Sequence, residues 1–145
     1  MKYLKLFESY ENITQIILNL IKEYDETPYN INNGLCDSFA GDVIEKLGGY
    51  TDNLFELTED MFFNVISPED TKEYWDDIIE TKYGIWSKKM LDIYGYPPVD
   101  LEKVDDQSHH TWIFYNGKHY DAETPNGVEK WYDITMNKKF FDYYK

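Results

Sequence analysis

Between residues 13 and 24 apolar side chains return every three or four positions: Ile13, Ile16, Ile17, Leu20, Ile21 and Tyr24. That spacing lines one face of a helix, and "NITQ", with Asn12 three residues before Gln15, matches a capping box at its start. Leu35, Phe39, Ala40, Val43, Ile44 and Leu47 form a second stripe. They predict a helix over 34–47 with Asn32 or Asn33 as N-cap and Gly48-Gly49 as its stop. "SPED" at 67–70 places a Ser cap, a Pro and two acids where a helix begins. Tyr74, Trp75, Ile78 and Ile79 would face that third helix inward, and a shorter helix is expected around Trp86–Tyr94, before "GYPPVD".

The pattern changes at "HHTWIFYNGKHYDAE", residues 109–123. Aromatic and β-branched runs flank Asn116-Gly117, a strong hairpin signal. Helices followed by a hairpin predict an α+β fold, with a small antiparallel sheet packed on the helix that carries Cys36. The tail from Thr124 supplies either a third strand or a covering loop. No repeat, low-complexity tract or linker divides the chain, so residues 1–145 are expected to form one domain.

Composition narrows the function. Hydrophobic residues make up 42% and aromatics 18%, enough to fill a core despite the charge. No apolar run approaches the roughly 20 residues of a membrane span. "MKYLKLFESYENITQ" is too broken by polar residues to be a secretory signal, and one cysteine forms no internal disulfide. Both point to a reducing cytoplasm. A net charge of −14 opposes nucleic-acid binding, which needs clustered Lys and Arg. It permits a neutral or cationic polypeptide substrate, or a surface that imitates the charge of DNA, while on charge alone it reads first as solubility.

The single cysteine, Cys36, stands where the second stripe begins. On the stripe alone it reads as packing, since free Cys is among the most buried residue types. In the first turn of a helix, however, free N–H groups and the dipole favour a thiolate. The same N–H groups can receive negative charge from a substrate carbonyl. Neighbouring Asp37 works against the thiolate.

A base can be located by strand parity. With a two-residue turn, Phe114 pairs with His119, Trp112 with Asp121 and His110 with Glu123. His110, Trp112, Phe114, His119, Asp121 and Glu123 then share one face of the sheet; His109, Thr111 and Ile113 take the other. Asp121 or Glu123 can fix the tautomer of His110. Cys36, His110 and a carboxylate would supply nucleophile, base and orienter. A metal site fits poorly, because His119 and Glu123 stand roughly 13 Å apart along a strand and cannot share one ion.

"GLCDSFA" resembles the nucleophile helix of papain-like cysteine hydrolases, and "HHTWIFYNGKHYDAE" resembles the His and Asp strands of their transglutaminase-like branch. "HTWIFYNGKHYDAETPNGVEKWYDI" is similar to small phage and bacterial proteins of this type. The resemblance covers residues 32–47 and 109–134. It implies a papain-like fold with Cys36 as nucleophile, His110 as base and Asp121 as orienter, acting on an amide as peptidase, deamidase or transamidase without a cofactor. Asn32 and Asn33 are the candidates for an oxyanion-hole side chain. Asn33, Trp112, Glu123 and Trp131 are the candidates for substrate contact, and residues 50–108 the expected walls of a cleft. The competing expectation is an inactive acidic binding protein, such as a phage-encoded inhibitor of a host factor in the host cytoplasm. A plain structural component of a larger assembly is the third.

Overall fold

A computed structural model of the chain describes residues 12–66 and 77–145, which form a mixed α+β structure of five helices and two small antiparallel sheets. The first helix, α1 (Ile13–Tyr24), follows the predicted stripe, and the Asn12 side chain accepts the Gln15 N–H at 2.8 Å. Gln15 turns its own amide to Asn19 rather than back to the cap, so only half of the capping box forms.

The predicted cap of the Cys36 helix is corrected. Asn32 ends a separate short helix, α2 (Pro28–Asn32), which Thr27 caps and Pro28 opens; Asn33 is its C-cap. The next helix, α3 (Cys36–Lys46), therefore starts at Cys36 itself, preceded by Leu35, which offers no side-chain cap. Its stripe of Phe39, Ala40, Val43 and Ile44 is buried as expected.

Strand β1 (Leu54–Thr58) was not foreseen. It borders a sheet of order β1-β5-β6-β7 made with β5 (Thr111–Tyr115), β6 (Lys118–Asp121) and β7 (Thr124–Val128). The hairpin register is the predicted one, with Tyr115 opposite Lys118 and Phe114 opposite His119. Asn116 and Gly117 both take positive φ, 49° and 86°, as a primed turn requires. The tail from Thr124 opens as a strand beside β6, and after Val128 it leaves the sheet.

The second sheet, of order β2-β4-β3, consists of β2 (Phe63–Val65), β3 (Ile78–Glu80) and β4 (Gly84–Ser87). Ile78 and Ile79 thus belong to a strand, not to the helix expected after "SPED"; residues 67–76 of that expected helix lie outside the described residues. Trp86 is likewise in a strand, and α4 (Lys88–Tyr94) begins two residues later with Ser87 as its cap. The chain closes with α5 (Thr135–Asp142).

Adjacent residues of β5 point to opposite faces of the main sheet, and each face has its own core. Ile113 joins Leu54, Tyr120 and the buried faces of α1 and α3. Trp112 joins Leu57, Phe62, Phe63, Trp86, Leu91, Trp131 and Phe141 on the other side. Trp131 anchors this second core. Its ring stacks on Phe62 at 4.1 Å and lies 6° from parallel to Trp112, and its indole N–H donates to the Gly95 carbonyl. Among the described residues no helix is long and apolar enough to cross a membrane.

Candidate active site

Cys36 is the first residue of α3 and is partly exposed. The first intrahelical bond runs from the Phe39 N–H to the Leu35 carbonyl, which leaves the N–H groups of the opening turn to other partners. The helix packs on the Ile113 face of the sheet, and its start reaches the end where β5 begins. Burial pushes the Cys36 thiol up, but the His110 imidazole and the Thr111 backbone beside it outweigh burial. The net effect holds the thiol below its ordinary range. Asp37 opposes this weakly, with its Oδ1 3.9 Å from the sulfur.

His110 lies one residue before β5 and is fully buried. Its Nε2 sits 2.8 Å from Asp121 Oδ2, at the end of β6. Its Nδ1 has no hydrogen-bond partner, so the nitrogen that remains for Cys36 is unoccupied by any other group. The sulfur and the ring act on each other: His110 lowers the thiol, and Cys36 raises the imidazole. Burial disfavours the imidazolium, yet Asp121 and Cys36 together raise His110 to about 9.

Asp121 is held on three sides. Its Oδ1 accepts the Glu123 N–H at 3.0 Å, and its Oδ2 accepts from His110 and, at 3.2 Å, from the Asn32 amide. The same Asn32 Nδ2 donates to Glu123 Oε1 at 2.8 Å. Both amide hydrogens of Asn32 are therefore committed, and it is not free to serve an oxyanion. Glu123 is not opposite His110. Asp121 pairs with Thr124, so Ala122 and Glu123 form the turn between β6 and β7. The carboxylate that meets His110 is Asp121, and Glu123 is tied to it through Asn32.

The chain matches no family model, no curated protein and no solved structure. What the site can do must come from its own geometry. A thiol lowered at a helix start faces a histidine whose far nitrogen is locked on a buried carboxylate. That set can transfer a proton from sulfur to nitrogen and hold the resulting pair of charges.

The other candidates fall elsewhere. Asn33 is exposed and spends its amide on the Tyr29 carbonyl, closing α2. Trp112 and Trp131 are both wholly buried, so neither offers a face to a substrate; both are core residues. Trp112 runs beneath the site, its ring 6.1 Å from that of His110, and its indole N–H donates to His119 Nδ1 at 2.9 Å. Burial pushes His119 down to about 4. His109 turns outward, with Nδ1 3.3 Å from Asp60. Among the described residues no group of three or more His, Cys, Asp and Glu could hold a metal ion. Beside Glu123 an apolar recess of about 470 Å³ opens between Leu18, Pro28, Tyr29 and Pro125.

Sequence reasoning missed two side chains of the surroundings: Asn32 as the holder of Asp121, and Glu59. An Asn four residues ahead of a candidate nucleophile is a usable signal for a polar group near the site. "LTED" around Glu59 carries none, since an acid after a strand ordinarily faces water.

Proposed function

We propose that this protein is a cysteine hydrolase or acyltransferase acting on an amide bond, with Cys36 as nucleophile, His110 as general base and Asp121 as orienter. The observation that carries the reading is the free Nδ1 of a buried, Asp121-locked His110 beside a thiol lowered below its ordinary range. The resemblance of residues 32–47 and 109–134 to papain-like and transglutaminase-like enzymes supports the same assignment.

In this reading Cys36 passes its proton to His110 Nδ1 and the thiolate attacks the amide carbon. The tetrahedral oxygen takes its negative charge toward the opening N–H groups of α3, where the uncapped turn and its dipole favour an anion. The C–N bond then breaks as the imidazolium returns its proton to the leaving nitrogen. Water attacks the thioester, giving its proton to His110, and the acid is released with the thiol restored; an amine in place of water gives transamidation. Asp121 keeps Nε2 protonated and steadies the imidazolium throughout. The apolar recess beside Glu123 favours a substrate with a hydrophobic side chain on that flank.

The test is the rate of iodoacetamide alkylation of Cys36 against pH, in the wild type and in His110→Ala. Fast labelling near neutral pH that depends on His110 is the expected result. Slow labelling in both, rising only near the free-thiol pKa of about 8.5, sinks the proposal. The excess of acidic residues, 28 against 14 basic, would then favour an acidic binding protein whose function survives Cys36→Ala.

A further inference from the structure

One further carboxylate is buried near this site, and the mechanism above does not use it. Glu59 is 2% exposed and opens the single turn of 3₁₀-helix, Glu59–Met61, that follows β1. Its Oε2 accepts the backbone N–H of Ser108 at 2.8 Å, that of His109 at 2.9 Å and the Ser108 hydroxyl at 3.3 Å. Its own backbone N–H donates to the His110 carbonyl at 3.0 Å. One residue thus grips three consecutive residues, the last of them the candidate base.

Between these grips the chain does something it would not do unaided. His109 has φ 53°, in the left-handed region that side chains other than glycine seldom enter. A backbone reversal placed immediately before His110 decides where its ring points. Gln107 fastens the segment further upstream, through the Phe63 carbonyl, the Val65 N–H and Asp60. Those bonds hold residue 107 against β2; among the described residues only Glu59 accepts the backbone N–H groups of 108 and 109, while Asp60 meets the His109 ring alone.

A carboxylate is a costly acceptor to bury, because its charge loses water that hydrogen bonds must replace. Burial raises Glu59 to about 7, while the N–H groups of His109 and Ser108 pull it back. At pH 8 the group is ionised, and its bonds to the loop are charge-assisted and stronger than neutral ones.

We infer that Glu59 is a positioning residue for the candidate base: by fixing the backbone of Ser108 and His109, it sets where His110 presents Nδ1 to Cys36. The inference rests on the Cys36–His110 pairing proposed above. An ordinary loop fastening would alter stability and leave the thiol's chemistry alone, so the two roles separate experimentally.

The experiment measures iodoacetamide alkylation of Cys36 at pH 8, with the His110 imidazole titrated by NMR, in Glu59→Gln, Glu59→Ala, Glu59→Asp, Gln107→Ala and His110→Ala. Glu59→Ala removes the acceptor, and Glu59→Asp keeps the charge but falls short of the loop. Both are expected to slow alkylation by up to about tenfold, the most that one pKa unit removes from the thiolate fraction, and to shift the His110 titration. Glu59→Gln retains a carbonyl acceptor but loses the charge, and should fall between the wild type and Glu59→Ala. Gln107→Ala, which loosens the neighbouring residue alone, should leave the rate unchanged. If Glu59→Ala fails to fold, the measurement passes to Glu59→Ala with His109→Gly, because glycine takes the left-handed conformation freely. Wild-type alkylation and titration in the Ala and Asp variants, with a slow His110→Ala, overturn the role of Glu59 alone. An equal slowing in Gln107→Ala also overturns it. A fast His110→Ala would instead bring down the pairing on which the inference stands.

Discussion

Asp121 Oδ2 meets His110 Nε2 at 2.8 Å, and neither side chain is open to solvent. Burial opposes a charged imidazole, so the carboxylate and the thiol together keep His110 basic. Asp121→Ala removes the larger of these two supports. Cys36 alkylation near neutral pH should slow about ten- to a hundredfold, as a change of one to two pKa units implies. Asp121→Asn, which still fills the space and offers an oxygen, should lose less. Alkylation rates at a single pH, with folding checked by circular dichroism, are sufficient.

Asp37 works in the opposite sense. Its carboxylate stands 3.9 Å from the sulfur and raises the thiol, though less than any other group acting on it. Asp37→Asn should therefore speed alkylation at pH 7 modestly. The gain should shrink at high salt, because Asp37 is exposed and its field is screened. A slower Asp37→Asn would mean that the carboxylate helps to orient the thiol.

His119 makes stability depend on pH. Its folded value of about 4 lies below the ordinary 6.5, because burial excludes the charged ring and Trp112 occupies Nδ1. A group depressed on folding contributes stability above its unfolded value, lost as pH falls through the folded one. About 2.5 units correspond to about 3 kcal/mol at pH 7. Denaturant titrations at pH 7 and pH 4 should show that loss in the wild type. His119→Gln, which can still accept the indole N–H but does not titrate, should show much less of it.

Trp131 tests the second core. Its ring lies against Phe62, Trp112 and Phe141, and its N–H satisfies the Gly95 carbonyl. Trp131→Ala should cost about 3–5 kcal/mol, the range for large core aromatics. Trp131→Phe keeps part of the stack but leaves the Gly95 carbonyl unpaired, so it should fall between. Urea unfolding midpoints compared at constant slope decide it.

The parts of the site that can be read from the sequence are those fixed by short-range geometry. Asn116-Gly117 sets the hairpin, and its parity alone puts His110, Trp112, Phe114, His119 and Asp121 on one face. The stripe through Phe39, Val43 and Ile44 likewise fixes α3. What escaped depends on partners distant in the chain. Ile78 and Ile79 sit at helical spacing from Tyr74 and Trp75, yet they pair with β4, whose company no local pattern announces. Glu123 was placed by extending the hairpin two residues past its true end, where the chain already turns into β7. Asn32 looked like a helix cap because the short helix α2 was invisible, five residues being too few to show a period.

His110 and Asp121 are carried by the two arms of one hairpin, eleven residues apart, while the thiol arrives from a helix far upstream. Contacts so close in sequence form early and at little cost in chain entropy, whereas the sulfur must wait for the helix to dock. A partly folded chain can therefore own its His110–Asp121 couple while its thiol still titrates as a free one. Under the proposed function, a lowered thiol at Cys36 becomes a gauge of completed assembly, because the sulfur meets His110 only once the helix has docked on the sheet.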